Sequence, residues 1–331
     1  MKPLNVQSGV VTRWVISTAL GLVGVTAFAQ NVERPEMRMV PAEHVPASAN
    51  SMILSATLAG TRIVAVGDHG VVMLSDDSGK SFQQADAVPV SSTLTAVSFV
   101  DATHGWAVGH WGVVLGTADG GKHWTLQRSD LTVDQPLFSV YFKNVKEGWA
   151  VGLWSLMLHT VDGGVTWTTL KPPPPPGAKK ADRNLYKIFA NSAGDLFIAC
   201  EQGRVMHSAD DGATWKYIET GYTGSFWTGI ALQDEVLLVG GLRGTIYRSI
   251  DGGKTWGISQ STFKSSITDM QQLADKSIVA VGLDGVTLTS RDDGATFTGN
   301  QRSDRVPLTA LSKSPAGAAP PVVFSASGPI S

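Results

Sequence analysis

The stretch TVDGGVTW (Thr160–Trp167) decides the fold, because its pattern occurs five more times along the chain. The shared pattern, which we call the box, is Ser/Thr-x-Asp-x-Gly-x-Ser/Thr-Trp/Phe, and only the second copy departs from it, with His123 at the second hydroxyl position. Its central aspartates are Asp77, Asp119, Asp162, Asp210, Asp251 and Asp292, and four copies end in Trp124, Trp167, Trp215 and Trp256. The aspartates are 42, 43, 48, 41 and 41 residues apart. A nearly constant period of this length is typical of repeat architectures.

Short β-rich runs precede each box. In the second unit these runs are LTAVSFV (Leu94–Val100) and GWAVGHWGVVLG, which is divided by glycines. Such runs between turn residues predict strands. We therefore expect four strands per unit, A to D, over Leu94–Val100, Gly105–Val108, Gly112–Gly116 and His123–Gln127. The box forms the C–D hairpin.

Four antiparallel strands in every repeat predict an all-β fold, the β-propeller. Six complete units are visible within residues 51–331, and Pro307–Ser314 with Val322–Gly328 resemble the A and B strands of a seventh. We predict seven four-stranded antiparallel blades, the last of them closed by an outer strand around Glu36–Val40, in the N-terminal segment 30–50. A six-bladed ring with terminal extensions is the alternative.

Residues 1–29 have the pattern of a signal peptide. Lys2 and Arg13 precede the apolar run Trp14–Thr26, and Ala27-Phe28-Ala29 fits a cleavage site before Gln30. We expect an exported, periplasmic protein, with an uncleaved anchor as the alternative.

Composition argues against several classes of function. The chain has 331 residues, is 43% hydrophobic and only 16% charged, and its net charge is −2, so nothing indicates a nucleic-acid partner. The single cysteine, Cys200, excludes an intramolecular disulfide and is expected to be buried. We expect a monomer with no cofactor, no bound metal and no catalytic residues.

The box has a structural interpretation. Its aspartate is expected to accept hydrogen bonds from its own turn, the hydroxyl to bond back to that aspartate, and the aromatic ring to pack between neighbouring blades. A calcium site is the alternative, but the loop lacks the further ligands of an EF-hand.

Partner binding is assigned to the opposite face, where the B–C turns and D–A loops should lie. Each B–C turn has a glycine, replaced by Cys200 in the fourth unit, followed by two residues that differ between units. The second of these residues is His69, Trp111, Trp154, Gln202, Arg243 and Asp284. We expect these tips to ring the mouth of the central channel, where tryptophan and arginine suit an interface. The alternative is that Trp111 and Trp154 only pack against neighbouring blades. His69 and His110 lie in neighbouring turns, but the sequence favours partner binding over a shared metal.

The longest D–A loop, KPPPPPGAKKADRN (171–184), adds Lys179, Lys180 and Arg183 to this candidate surface. Five consecutive prolines predict a stiff polyproline II segment. Trp227, in the segment GYTGSFW, adds an aromatic residue. The loop is either a basic docking arm or a solvated insertion without a role.

The box resembles the BNR/Asp-box repeat. Its coupling to GWAVGxxGxxLxT, seen at Gly105–Thr117 and Gly148–Thr160, is most similar to the photosystem II stability/assembly factor family. That resemblance, over about Ser51 to Phe297, implies a seven-bladed, non-enzymatic propeller that binds membrane-protein subunits during assembly. The chain lacks any marker of a photosynthetic host, so another membrane complex or transporter is an equally good client.

Two other functions stay open, a carbohydrate- or envelope-binding module and a sialidase-like hydrolase. A sialidase needs three arginines, a tyrosine–glutamate nucleophile pair and an acid/base aspartate. The early Arg-Ile-Pro motif of sialidases is absent from this sequence, and the nearest Tyr–Glu pair, Tyr217 and Glu219, falls on a predicted outer strand.

Overall fold

The structure, a computed structural model, describes residues 38–44, 50–232, 235–315 and 320–330. The predicted signal peptide lies outside the described residues. Within them the chain forms 28 short strands, β1 to β28, arranged in seven sheets. No helix in this part of the chain is both long enough and apolar enough to cross a membrane.

The first three blades contain four strands each. Their bounds, in order, are β1 (Ile53–Ala59), β2 (Arg62–Gly67), β3 (Val72–Ser75) and β4 (Gln83–Gln84); β5 (Leu94–Phe99), β6 (Gly105–Gly109), β7 (Val114–Thr117) and β8 (Thr125–Arg128); β9 (Leu137–Phe142), β10 (Gly148–Gly152), β11 (Met157–Thr160) and β12 (Thr168–Leu170). The A–B–C–D order predicted for the second unit is confirmed.

The remaining blades vary more. Their strands are β13 (Leu185–Ala190), β14 (Leu196–Cys200), β15 (Arg204–Ser208) and β16 (Lys216–Glu219); β17 (Phe226–Ala231), β18 (Leu237–Gly241), β19 (Ile246–Ser249) and β20 (Gly257–Ile258); β22 (Ile267–Gln272), β23 (Ile278–Gly282), β24 (Val286–Ser290) and β25 (Thr296–Gln301); β26 (Leu308–Ser312), β27 (Val322–Ser325) and β28 (Gly328–Ile330). Strand β21 (Gln260–Ser261) continues from the fifth blade and pairs in parallel with β25 of the sixth.

The seven A strands contact one another in a closed ring, in the order β1, β5, β9, β13, β17, β22, β26 and back to β1. They are therefore the innermost strands and line the central channel. The prediction of a seven-bladed propeller is confirmed, and the six-bladed alternative is wrong.

The ring does not close as expected. The seventh blade has three strands, all from the C-terminal part of the chain. Residues 38–40 of the expected outer strand belong to no sheet, and the rest of that strand lies outside the described residues. Instead, the amide of Ala42 donates to the carbonyl of Val88, which places this segment beside the first blade. In the seventh blade β28 supplies the third strand after a tight turn, residues 38–40 add no outer strand, and the contribution of the rest of the N-terminal segment stays a prediction.

Seven apolar clusters, one at each interface between neighbouring blades, form the core in the described part of the chain. At the closure, Phe324 of β27 packs edge-to-face on Phe82 of the first box, with the ring centroids 5.6 Å apart. Because the apolar contacts lie between sheets, each blade depends on its neighbours for stability.

Candidate functional site

The boxes all lie on one face of the ring, which we call the box face. In the third blade the carboxylate of Asp162 accepts from the amide of Thr166 at 2.9 Å and from its hydroxyl at 2.6 Å. The hydroxyl of Thr160 donates to Asp162 at 2.8 Å and accepts from the amide of Gly164 at 2.9 Å. Every donor in this network belongs to the turn itself.

These bonds lower the pKa of the box carboxylates. The hydroxyl of Thr166, then its amide, then the hydroxyl of Thr160 lower the pKa of Asp162 to about 2. The same arrangement lowers the pKa of the aspartate to about 2 in four more boxes, those of Asp77, Asp210, Asp251 and Asp292. The second box keeps the geometry with a different donor, since His123 contacts Asp119 through Nδ1 at 2.7 Å.

The aromatic residues of the boxes pack between blades. Trp124 is buried in the cluster shared by the first two blades and donates from Nε1 to the carbonyl of Gly121 at 2.8 Å. Among the described residues no group of three or more His, Cys, Asp or Glu side chains is suited to a metal ion.

The B–C turns and D–A loops share the opposite face, which we call the turn face. The carboxylate of Asp134, in the loop before β9, accepts from the amide of Trp111 at 2.7 Å and contacts Nδ1 of His110 at 2.9 Å. In the next blade Asn184 likewise accepts from the amide of Trp154 at 3.1 Å.

All six predicted tip residues adopt the left-handed conformation. Their φ angles, between 52° and 59°, belong to His69, Trp111, Trp154, Gln202, Arg243 and Asp284. Such φ values are uncommon for residues other than glycine and cost roughly 1–3 kcal/mol each. The turn therefore directs every tip side chain away from the sheet, and all but Trp111 are exposed.

The two tip tryptophans differ. Trp111 packs against the cluster shared by the first two blades, as the packing alternative predicted. Trp154 is 56% exposed and is available to a partner.

Each tip lies one strand away from the channel. None of the six lines either channel cavity, although Leu283, which precedes the tip residue Asp284, does line the one on the turn face. The tips therefore lie on the turn face, and the expectation that they ring the channel mouth stays a prediction.

The proline-rich loop is anchored at its end. Ser155 donates from its amide to the carbonyl of Arg183 at 2.7 Å, and its hydroxyl accepts from the amide of Arg183 at 3.0 Å. The Arg183 guanidinium contacts Asp182 at 2.8 Å, whereas Lys179 and Lys180 are exposed. The exposed lysines of this loop, Lys171, Lys179 and Lys180, form no ion pair among the described residues.

A β-bulge shapes the start of every A strand. In all seven, the second residue is skipped by the pairing with strand B. A bulge re-aims the side chain of the extra residue. These seven residues all line a cavity of about 510 Å³ at the turn-face mouth of the channel: Leu54, Thr95, Phe138, Tyr186, Trp227, Thr268 and Thr309.

Three of these bulge residues are structural. The hydroxyls of Thr95, Thr268 and Thr309 each donate to the carbonyl of the first A-strand residue in the following blade: Leu137, Leu308 and Ile53. Threonine at the bulge therefore joins one blade to the next.

Three consecutive blades replace this threonine with an aromatic residue. Phe138, Tyr186 and Trp227, which we call the aromatic arc, lie side by side at the mouth, and the first two rings stack with centroids 5.5 Å apart. The sequence prediction included only Trp227. The other two were missed because the bulge leaves no mark in composition, although aligning the A strands of the repeats would have shown the aromatic substitutions.

A second ring of residues follows the bulges. Ser55 and Ser139 accept from backbone amides of the next blade, those of Val97 at 3.3 Å and Ile188 at 3.2 Å. The corresponding residue in the fourth blade is Lys187, which makes no such bond and instead interacts electrostatically with Asp269.

Asp269 takes the serine's place in the sixth blade. It accepts from the amides of Leu311 and Met270, both at 2.9 Å. Burial raises the pKa of Asp269, against the opposing effects of Lys187 and of these amides. Ser55, Lys187 and Asp269 line both the mouth cavity and a second cavity of about 480 Å³ toward the box face, so they form the waist of the channel.

Comparison with known proteins agrees with this architecture. A model of the family described as "Photosynthesis system II assembly factor YCF48" matches residues 83–228. No curated protein matches the sequence of the chain.

Three solved structures share the fold. A structure of YCF48 bound to D1 peptide is similar to this chain with a TM-score of 0.68 and 16% identity, covering 88% of this chain and 97% of that one. YCF48 from Cyanidioschyzon merolae is similar with a TM-score of 0.65 and 15% identity, covering 87% of this chain and 97% of that one. The C-terminal WD40 domain of Sif2 gives 0.62, with 10% identity and coverage of 88% and 97%.

At 10–16% identity the solved structures establish the propeller fold alone. The family model, in contrast, matches the amino-acid sequence over residues 83–228. Its match spans the two GWAVG units on which the sequence resemblance was based. The chain is thus a seven-bladed β-propeller whose residues 83–228 are similar in sequence to the photosystem II assembly factor family.

Proposed function

We propose that this protein is an exported, periplasmic, non-enzymatic scaffold that binds a subunit of a membrane protein complex or transporter and assists its assembly or stability. The observation that supports this most is the aromatic arc, because three neighbouring blades present aromatic rings to a concave mouth where three other blades have structural threonines. Aromatic residues in a concave site are the usual anchors of protein recognition.

The family adds to this proposal. The YCF48 structure bound to D1 peptide shows a related propeller holding a peptide. We extend peptide binding to this chain and assign it to the turn face, where Trp154, Arg243 and the lysines of the proline-rich loop are exposed.

The hydrolase alternative finds no support at the channel. The described residues that line the two cavities include neither arginine nor glutamate. Tyr217 and Glu219 lie on the outer strand β16, away from the axis.

Photo-crosslinking in cells tests the proposal. Trp154→p-benzoyl-Phe places the probe on the turn face, and Val165→p-benzoyl-Phe is the matched control, since Val165 is 80% exposed on the box face. We expect an integral-membrane protein to crosslink at position 154 and not at 165. Equal crosslinking at both positions, or retention on glycan without a protein partner, would contradict the proposal. A mature N-terminus at Gln30 in the periplasmic fraction is expected from export.

A further inference from the structure

Resting on the proposed function, we infer that the proline-rich loop docks in a groove of the partner that is lined by aromatic side chains and flanked by acidic ones. The loop presents two exposed prolines, Pro173 and Pro176, to that groove, and its exposed lysines pair with the acidic side chains. The partner surface is therefore a folded, water-exposed domain of the membrane complex.

Five consecutive prolines fix the backbone of this loop. The ring of a proline holds φ at about −65°, and a residue that precedes a proline is kept out of the helical region. Pro172 to Pro175 each precede another proline, so each is restricted to polyproline II geometry. The run has no amide hydrogen to donate and belongs to no sheet. It is therefore a stiff segment that does not depend on strand pairing.

The burial of the prolines has the period of a polyproline II helix, which is three residues per turn. Pro175 is buried and Pro172, one turn earlier, is half-buried, so one ridge of the helix lies against the propeller. Pro173 and Pro176, also one turn apart, are exposed, as is Pro174. The two form a Pro-x-x-Pro ridge that faces solvent, and this is the spacing that aromatic grooves recognise.

Both ends of the segment are fixed. The loop begins directly after strand β12, and the amide of Ala178 donates to the carbonyl of Pro175 at 2.9 Å in the turn that ends the prolines. Gly177, at the third position of this turn, has a φ of 78°. Proline at the second position and a glycine with positive φ at the third are typical of a type II turn. The exposed ridge is thus ordered before a partner binds, which reduces the entropic cost of binding.

The charge of the loop favours an acidic partner. Residues 171–184 contain four cationic side chains and one aspartate, in a chain whose net charge is −2. Arg183 pairs with that aspartate at 2.8 Å. The remaining positive charge lies on Lys171, Lys179 and Lys180, on both sides of the prolines. Complementary charges around the groove would orient the docking and increase its rate.

An anionic lipid surface is the other occupant that three lysines would suit. Segments that bind at the membrane interface bury tryptophan, phenylalanine or leucine at the level of the headgroups. The loop contains only proline, glycine, alanine and polar residues, so its apolar contact is confined to the proline ridge. A groove that accepts proline rings is therefore the better match.

Calorimetry on the mature chain tests the inference. The probe is an isolated SH3 domain chosen for an acidic rim, because the groove of this fold is lined by aromatic residues. We expect saturable binding that Pro173→Ala weakens about tenfold, since the exposed ridge then loses a ring. Pro172→Ala is the matched control on the ridge against the propeller and should leave the affinity unchanged. Lys179→Glu combined with Lys180→Glu should weaken binding and reduce its salt dependence, whereas Lys80→Glu, at an exposed lysine of the box face, should not.

A second measurement uses the partner in cells. The loop is anchored beside the third tip by the bond between Ser155 and Arg183. In the chain that carries the crosslinker at position 154, we therefore expect the yield of the crosslink to fall with Pro173→Ala and to stay unchanged with Pro172→Ala.

Three results would overturn the inference. They are no binding of the SH3 domain, equal affinities of the two proline variants for it, and binding to vesicles of phosphatidylglycerol and phosphatidylethanolamine that Pro173→Ala leaves intact. A crosslink at position 154 that Pro173→Ala does not reduce would overturn this inference alone and leave the proposed function standing. Binding of the SH3 domain that depends on Pro173, without any crosslink at position 154, would support the inference about the loop and count against the proposed function.

Discussion

The bulge threonines offer a quantitative test of how the ring is held together. The Thr268 hydroxyl donates to Leu308 in the next blade at 2.8 Å and lies 3.1 Å from the carbonyl of Val281 in its own blade. Thr268→Val keeps the shape of the side chain and removes the donor. Losing a net hydrogen bond costs 0.5–1.5 kcal/mol, and a carbonyl left unsatisfied adds to it, so we expect a loss of about 1–2 kcal/mol. For a domain of this size the Tm should fall by roughly 2–4 °C per kcal/mol.

Urea unfolding of the mature chain is the assay, with the slope m compared to confirm that the unfolded state is unchanged. Thr298→Val is the matched control, since Thr298 is exposed on the outer strand β25, and its effect should stay within about 0.5 kcal/mol. If Thr268→Val unfolds at the same urea concentration as this control, the joining role of the bulge threonines is refuted.

Three further predictions concern the stability of the propeller. The box carboxylates have pKa values near 2 in the folded protein, below their values in the unfolded chain. Their contribution to stability is therefore present above about pH 4 and is lost as the pH falls toward 2. Circular dichroism against pH should show a steep unfolding transition between pH 4 and 2, and a gradual loss of structure from pH 6 would contradict this prediction. Ser155→Ala should lower the stability of the folded protein by about 1–2 kcal/mol, because the hydrogen bonds of the hydroxyl to Arg183 are lost. Ser155→Gly should cost less, because φ is 60° at this position and glycine adopts this conformation without strain. Equal urea midpoints for the two variants would argue against this account. Burial raises the pKa of the Cys200 thiol, so iodoacetamide should modify this thiol only after the protein unfolds. Rapid labelling of the native protein would show that strand β14 is not buried.

The repeat made the architecture predictable from the sequence. A constant glycine in each box and near-regular spacing fix six hairpins and so six blades, and the strand-like runs Pro307–Ser314 and Val322–Gly328 indicate the seventh. The closure could not be predicted in the same way, because β28 is only three residues long and has no box.

The candidate site was harder to predict. The B–C tips stand out because they vary two residues after a position that is glycine in five of the six units, yet their radial position depends on strand order. The channel residues Phe138, Tyr186 and Lys187 lie in the most variable strands, where sequence shows only β propensity. These side chains point into the channel because of a backbone bulge, which the sequence pattern does not indicate. Comparing the bulge threonines with the aromatic arc then separates structural residues from candidates for binding.

The most direct test of partner binding on the turn face is hydrogen exchange of the mature chain with and without its crosslinked membrane partner. We predict protection of the A-strand starts of the third to fifth blades, at Leu137–Val140, Leu185–Ile188 and Phe226–Gly229, with the box turns unchanged. Protection confined to the box turns, such as Thr160–Trp167, would contradict the account.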